Sequence, residues 1–367
     1  MQDPRLKKFA QVLVHYSCKI KKGQLVEIVS GIPAVPLVKE IYVEVLKAGA
    51  HPFSRIVVED LEELFYKHAN AEQLKFVSPI NRYKVEKIDA MIALRSPSNT
   101  RGLSGSDPKK QALTRKSNHA IMDRFSKRSA EGKLAWVATQ YPTNAAAQDA
   151  NMSLTEYENF VYTACMIDQK NPVAAWQKMS KYNQRLIKYL KRKKTIRLIA
   201  PDTDLSFNVR GRKWINCNGE FNFPDGEVFT APVEDSVTGK IRFTFPAVYS
   251  GREVEDVRLE FKKGKVVKAT AAKGQPFLHA MIDMDKGARH VGEVAIGTNF
   301  GIKQFTRNIL YDEKIGGTYH MALGNSYPES GGKNRSALHW DMICDLRKNG
   351  AMYADGELFF KNGKFVK

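Results

Sequence analysis

Two histidines and an aspartate fall within 22 residues near the end of the chain: His320 in Gly317-Thr-Tyr-His-Met-Ala-Leu-Gly324, and His339 and Asp341 in Ser336-Ala-Leu-His-Trp-Asp341. Alternate residues of a β-strand share a face, so His339 and Asp341, two apart across Trp340, aim an imidazole and a carboxylate at one point. Thr318, His320 and Ala322 share a face in the same way, opposite Tyr319 and Met321. Neutral imidazole combined with carboxylate suits zinc, cobalt or manganese, whereas calcium and magnesium favour oxygen ligands alone. An isolated His-x-Asp is common as a surface pair, so the surroundings decide whether it binds a metal.

Three acids extend the set. Glu227 follows the turn Pro224-Asp-Gly226, Glu293 lies in His290-Val-Gly-Glu-Val-Ala-Ile-Gly297, and Glu313 lies in Leu310-Tyr-Asp-Glu-Lys-Ile-Gly-Gly317. The glycines beside them let the backbone come close to a bound ion. Singly each has a plain structural reading: Glu227 as a turn acid, Glu293 as a partner of Arg289. His15, His51, His68, His119 and His279 have no partner pattern and read as structural, and His290 is placed to support Glu293 from behind.

The elements that must carry these residues differ between the two halves. The first half alternates helix and strand: a helix over about residues 3–20, a strand over 24–30, an apolar helical pattern from Val35 to Ala48 closed by Gly49, and a strand at 53–58. Strands at 90–94 and 134–139 and helices at about 109–129, 145–150, 153–168 and 171–192 continue it, with Ser153-Leu-Thr-Glu156 as a capping box. Strand-helix-strand units of this kind build a parallel sheet. From Thr195 the texture changes to short strands and Gly/Pro/Asp/Asn turns, with a helix around Phe277–Asp285. The reading is an α/β N-terminal domain with a mostly parallel sheet over residues 1–194, and a strand-rich α+β domain over 195–367 that holds the metal site.

Composition bounds the alternatives. The chain has 367 residues, 43% hydrophobic, enough for two real cores. No stretch approaches a membrane span and the N-terminus is amphipathic, so a soluble, cytoplasmic protein with no membrane partner is expected. Cys18, Cys165, Cys217 and Cys344 are widely separated and read as reduced and structural. No Gly-rich phosphate loop follows the first strand, which removes support for nucleotide binding. The net charge of +19 invites a nucleic-acid hypothesis, centred on nine basic residues and no acidic one from Lys178 to Arg197. Leu186, Ile187, Tyr189 and Leu190 are spaced there as one helix face, which favours a solvated basic helix, and no nucleic-acid motif accompanies it.

Four motifs in order, Pro224-Asp-Gly-Glu-Val-Phe-Thr-Ala-Pro232, Gly292-Glu-Val-Ala-Ile-Gly-Thr-Asn299, Asp312-Glu-Lys-Ile-Gly-Gly-Thr-Tyr-His-Met-Ala-Leu-Gly324 and Ser336-Ala-Leu-His-Trp-Asp341, resemble the thermophilic-type metalloaminopeptidases, the aminopeptidase T and aminopeptidase S group. The resemblance extends to the opening helix and Gly23-Gln-Leu-Val26. It implies a homodimeric exopeptidase that uses two divalent ions, Zn, Co, Mn or Mg, to release N-terminal residues from peptides. Carried over by position, Glu227, Glu293, His320, His339 and Asp341 are implied ligands, Glu313 a ligand or the proton-transfer base, and Tyr327 the active-site tyrosine. Two ions about 3.5–4 Å apart share a carboxylate and a hydroxide and polarise the scissile carbonyl. An acid, Glu293 or Glu313, must then move the water's proton to the leaving amine, and Tyr327 stabilises the oxyanion. Two alternatives remain: a metallohydrolase of another amide or ester, which keeps the ligands, and a basic nucleic-acid-binding protein, which rests on the charge. An aminopeptidase must also receive a free amine, so its cleft is expected to be acidic inside with lysines outside.

Overall fold

The computed structural model describes residues 3–367. It forms two compact units, one comprising the chain up to Val173 with Gly219–Phe223, the other Ala174–Asn218 with Pro224–Lys367. The expected division at 194/195 differs from these units for a packing reason. The helix Pro172–Leu190 buries Leu186, Ile187 and Leu190 in the same core as Ile196, Leu198 and Phe207 of the strands that follow it. Gly219–Phe223 then rejoins the first unit, where Asn222–Phe223 pairs with a strand and the Phe223 ring packs on Phe9.

The first unit is built on a five-stranded parallel sheet in the order His51–Val57, Leu25–Gly31, Ala90–Arg95, Ala135–Gln140, Asn222–Phe223. Val26 and Ile28 of its second strand, Leu25–Gly31, are fully buried, as are Leu37, Ile41 and Val45 on one face of the helix Val35–Lys47. The capping box at Ser153 forms: its Oγ accepts the Glu156 N–H and Glu156 accepts the Ser153 N–H. The long helix expected over 109–129 is two, Pro108–Ser117 and His119–Ala130, divided at Asn118.

The second unit stacks two antiparallel sheets. The larger has eight strands, in the order Lys265–Thr270, Arg258–Lys262, Thr238–Arg242, Thr203–Asn208, Thr195–Ala200, Ala351–Ala354, Glu357–Lys361, Lys364–Phe365. The smaller has five, in the order His339–Asp345, Thr318–Gly324, Val291–Gly297, Glu227–Thr230, Ile215–Cys217. Leu198, Leu205, Ile241 and Leu259 from the first meet Val294, Ile296, Met321, Leu323 and Met342 from the second in one core. Each such side chain, withdrawn fully from water, contributes roughly 1.5–3 kcal/mol to holding the smaller sheet in place. No helix of the described residues is long and apolar enough to cross a membrane.

Candidate metal centre

Sheet register places the site. In the five-stranded sheet Ala322 lies opposite both Asp341 and Glu293, Gly324 opposite His339, His320 opposite Ala295, and Glu227 opposite Gly297. Alternation then puts Glu227, Glu293, His320, His339 and Asp341 on one face, and Val228, Val294, Tyr319, Met321, Trp340 and Met342 on the other, in the core. The residues between the ligand types on the site face are Ala322, Ala295, Gly297 and Gly324, too small to fill the space over which the acids and imidazoles converge.

Two glycines make this register. At Gly292 the pairing slips, so that Val291 faces Leu323 while Glu293 faces Ala322, a bulge that turns Glu293 to the site face. A Cβ at 292 would lie 2.2 Å from the Asn325 carbonyl oxygen and 2.4 Å from that of Gly324. Gly226, with φ +114°, takes a left-handed turn that side chains resist, and a Cβ there would meet Asn299 Cβ and Met179 Sδ, each at 2.8 Å.

The side chains meet closely. His320 Nε2 lies 3.4 Å from Glu227 Oε2 and 3.6 Å from Glu293 Oε1, and His339 Nε2 lies 3.6 Å from Glu293 Oε2 and 3.5 Å from Asp341 Oδ2. Among the described residues, potential ligand atoms fall into three groups mutually within 4.8 Å: Glu293–His339–Asp341 and Glu313–His320–Asp341, which share Asp341, and Cys217–Asp225–Glu227. His339 Nδ1 donates to the Asn325 carbonyl at 2.9 Å, which fixes the tautomer and leaves Nε2 as a lone pair facing the acids. Two buried atoms here, Glu227 Oε2 and His320 Nδ1, have no hydrogen-bond partner. Crowded carboxylates, two imidazoles that each offer a nitrogen once deprotonated, and an orphaned buried carboxylate oxygen are the donor set of a divalent cation site, so these residues fit a metal.

The electrostatics agree. Burial works against charge on His320, but Glu293, Glu227, Glu313 and Asp341 outweigh it and push its pKa up to about 9. His339 is likewise raised, with burial opposed by Asp341 and Glu293. Burial raises Glu293, with Asp341 and Glu227 adding to it, and pushes Glu313 up to about 8 against the pull of Lys314. Tyr327, 41% exposed, stands with its ring 5.0 Å from that of His339 and 5.7 Å from that of Phe229. Burial and the nearby acids raise its phenol, so it stays a proton donor.

The structure thus brings together Glu227, Glu293, Glu313, His320, His339 and Asp341, with Tyr327 beside them. The other histidines lie in separate settings: His15 on Glu44, His119 on Asp123, and His279 on the Ala269 carbonyl. His290 contributes its backbone, its carbonyl accepting the Gly324 N–H. One feature departs from the expectation of lysines only outside. Lys314 is fully buried, donates to Glu313 Oε1, and faces Glu227 and Asp225. Burial pulls its pKa down, and these three acids hold it protonated all the same. Cys217 and Asp225 also approach Glu227. The only sequence sign of these was a lysine next to Glu313 and an acid inside the Pro-Asp-Gly turn.

Comparisons with known proteins show the family. The thermophilic metalloprotease (M29) family profile matches residues 2–365. Aminopeptidase 2 of Geobacillus stearothermophilus is 28% identical, covering 99% of this chain and 98% of the relative, and aminopeptidase T of Thermus thermophilus is 26% identical, covering 96% and 95%. The solved structure of wild-type AmpT from Thermus thermophilus superposes with a TM-score of 0.84 at 24% identity over 99% of both chains, which shows the fold. The chain belongs to the thermophilic metalloprotease (M29) family and is a metalloaminopeptidase.

Proposed function

We propose that this enzyme releases N-terminal amino acids from peptides at a two-ion centre. The observation that carries the reading is the pair of three-ligand groups that share Asp341. Glu227, Glu293, Glu313, His320, His339 and Asp341 would hold the ions, with zinc, cobalt or manganese suited to the mixed imidazole and carboxylate set. Bound there, divalent ions supply Lewis acidity and a water of lowered pKa.

The chain's own residues do the rest. Glu293 turns one oxygen toward each histidine, which puts it at the centre of the site to accept the water's proton and pass it to the leaving amine. Glu313, with one oxygen held by Lys314, keeps the other for a ligand role. The Tyr327 hydroxyl donates to the oxyanion that forms from the scissile carbonyl. The surrounding acids attract the substrate's ammonium group, which selects peptides with a free N-terminus.

A homodimer in the cytoplasm belongs to the same proposal. Ile56 and Val57 are exposed at the edge strand of the parallel sheet, Val58 just after it, and Leu61, Leu64 and Phe65 at the helix that follows, an apolar surface of the kind a second copy covers. Light scattering tests that part. For the reaction, the metal-loaded protein should cleave an aminoacyl chromogenic amide, lose that activity on chelation, and fail when the amine is acetylated. Cleavage of the blocked substrate would move the reading to another amide or ester hydrolase. Asp341→Asn should cost both ions, measured by metal analysis, whereas Glu313→Gln should cost one. Two ions retained by Asp341→Asn would overturn the shared-ligand reading.

A further inference from the structure

Tyr327 stands at the start of a turn, Pro328–Ser330, that no sheet hydrogen bond holds. Its position depends on what ties that turn down, and the ties converge on two residues far away in sequence. Arg212, its side chain only 7% exposed, donates through Nη1 to the Gly331 carbonyl and through Nη2 to Glu234 Oε2 at 2.6 Å. Glu234 Oε1 accepts the Lys333 N–H at 2.7 Å. One ion pair therefore grips the turn twice, by a carbonyl at 331 and an amide at 333. The neighbouring Lys213 N–H donates to the Ser330 carbonyl at 3.0 Å, and Ser330 Oγ donates to the Tyr327 carbonyl at 2.7 Å. Gly332 seats the turn, since a Cβ there would lie 2.4 Å from Ser326 Cβ and 2.7 Å from Ala231 Cβ, next to the strand that carries Glu227.

We propose that Arg212 and Glu234 are positioning residues for the reaction, forming a clasp that fixes the Tyr327 hydroxyl against the metal centre. The inference rests on the oxyanion role given to Tyr327 above. An arginine suits the task because its planar fork bonds a carbonyl and a carboxylate at once, which a lysine does not reproduce. An ion pair that only stapled the fold would affect stability and leave the tyrosine's contribution to turnover intact. A clasp acting through Tyr327 makes the effects of the two residues on kcat non-additive.

The test is a double-mutant cycle on the metal-loaded full-length enzyme, using Arg212→Met, Tyr327→Phe and the pair, with metal content measured for each. Arg212→Met is expected to lower kcat about tenfold with metal content unchanged, and to cost less than about twofold when Tyr327 is already phenylalanine. Glu234→Gln, which keeps the shape of the pair, is expected to give a smaller loss with the same non-additivity. Equal losses in both backgrounds, or a Tyr327→Phe enzyme with wild-type kcat, would overturn the proposal. Hydrogen exchange on the metal-free protein gives a readout independent of turnover: residues 327–333 should exchange faster in Arg212→Met while the strand Val291–Gly297 stays protected. If the wild-type protein cleaves no aminoacyl amide, the aminopeptidase mechanism fails by itself and exchange still judges the clasp, with unchanged protection of 327–333 counting against it.

Discussion

Protons and metal should compete at the Glu313–His320–Asp341 group, and the size of that competition follows from the site. Without an ion His320 holds its proton up to about pH 9 and Glu313 up to about pH 8. At pH 7 both are mostly protonated, and each must lose its proton, Glu313 to ionise and His320 to free a nitrogen lone pair, before it can ligate, so binding should release about two protons. Between pH 6 and pH 8 the proton penalty falls at both groups, and because they share one charge cluster they titrate as a pair, so affinity should rise by well over tenfold across that range. Metal-free stability runs the other way. The raised His320 stabilises the fold fully below the unfolded value near 6.5, and that is lost as pH rises through 9. Glu313 is favoured neutral in the fold, so stability also falls as pH rises from its ordinary 4.5 through 8. Chelator-buffered titrations give the affinity, calorimetry in buffers of different ionisation enthalpy gives the protons released, and thermal melts give stability. An affinity that changes less than tenfold from pH 6 to pH 8, with no proton release at pH 7, would show that the acids do not raise one another as the packing requires.

Two further outcomes follow from single residues. Tyr327→Phe should lower kcat by about 10²–10³, as loss of one oxyanion donor does, with KM nearly unchanged and metal content intact in steady-state assays. Gly292→Ala should cost at least about 3 kcal/mol in denaturant unfolding, because its methyl group meets two carbonyl oxygens, and should also lower metal content by turning Glu293 from the site face; a stable, fully loaded variant would mean the bulge is not what aims Glu293.

Much of the site was legible because strand alternation is local. His339-x-Asp341 and Thr318-x-His320-x-Ala322 share faces whatever surrounds them, and the structure pairs those two strands directly. The two-layer contrast between the halves was legible from periodicity for the same reason, and the parallel and antiparallel sheets follow it. The domain boundary was not, because the basic helix is amphipathic and its sequence does not say which core its apolar face enters. Nor does the return of Asn222–Phe223 to the first unit's sheet leave a local mark, since a two-residue strand has no period. The Gly292 bulge is visible only as a glycine before an acid. Lys314 was missed because a lysine is read as exposed by default, and only the tertiary convergence of Asp225, Glu227 and Glu313 makes its burial tolerable.

That buried lysine bears on how many ions the site takes. Asp225, Glu227, Glu293, Glu313 and Asp341 place five carboxylates in one region largely removed from water, and Lys314 supplies one fixed positive charge. Uncompensated charge in such a region is expensive, so the ionised cluster needs its remaining four negative charges met. The two divalent ions proposed above would meet them while the water they share is neutral, whereas one ion would not. Replacing Lys314 with methionine, which keeps an unbranched chain of similar length, leaves five negative charges against the same two ions. The loaded site should then keep one proton, most readily on Glu313, whose carboxylate loses its ammonium partner. Calorimetric proton release at pH 7 should accordingly drop from about two to about one, while two ions still bind. Unchanged proton release in Lys314→Met with both ions in place would mean that the lysine is not part of the charge balance, and the argument from charge to two ions would fall with it.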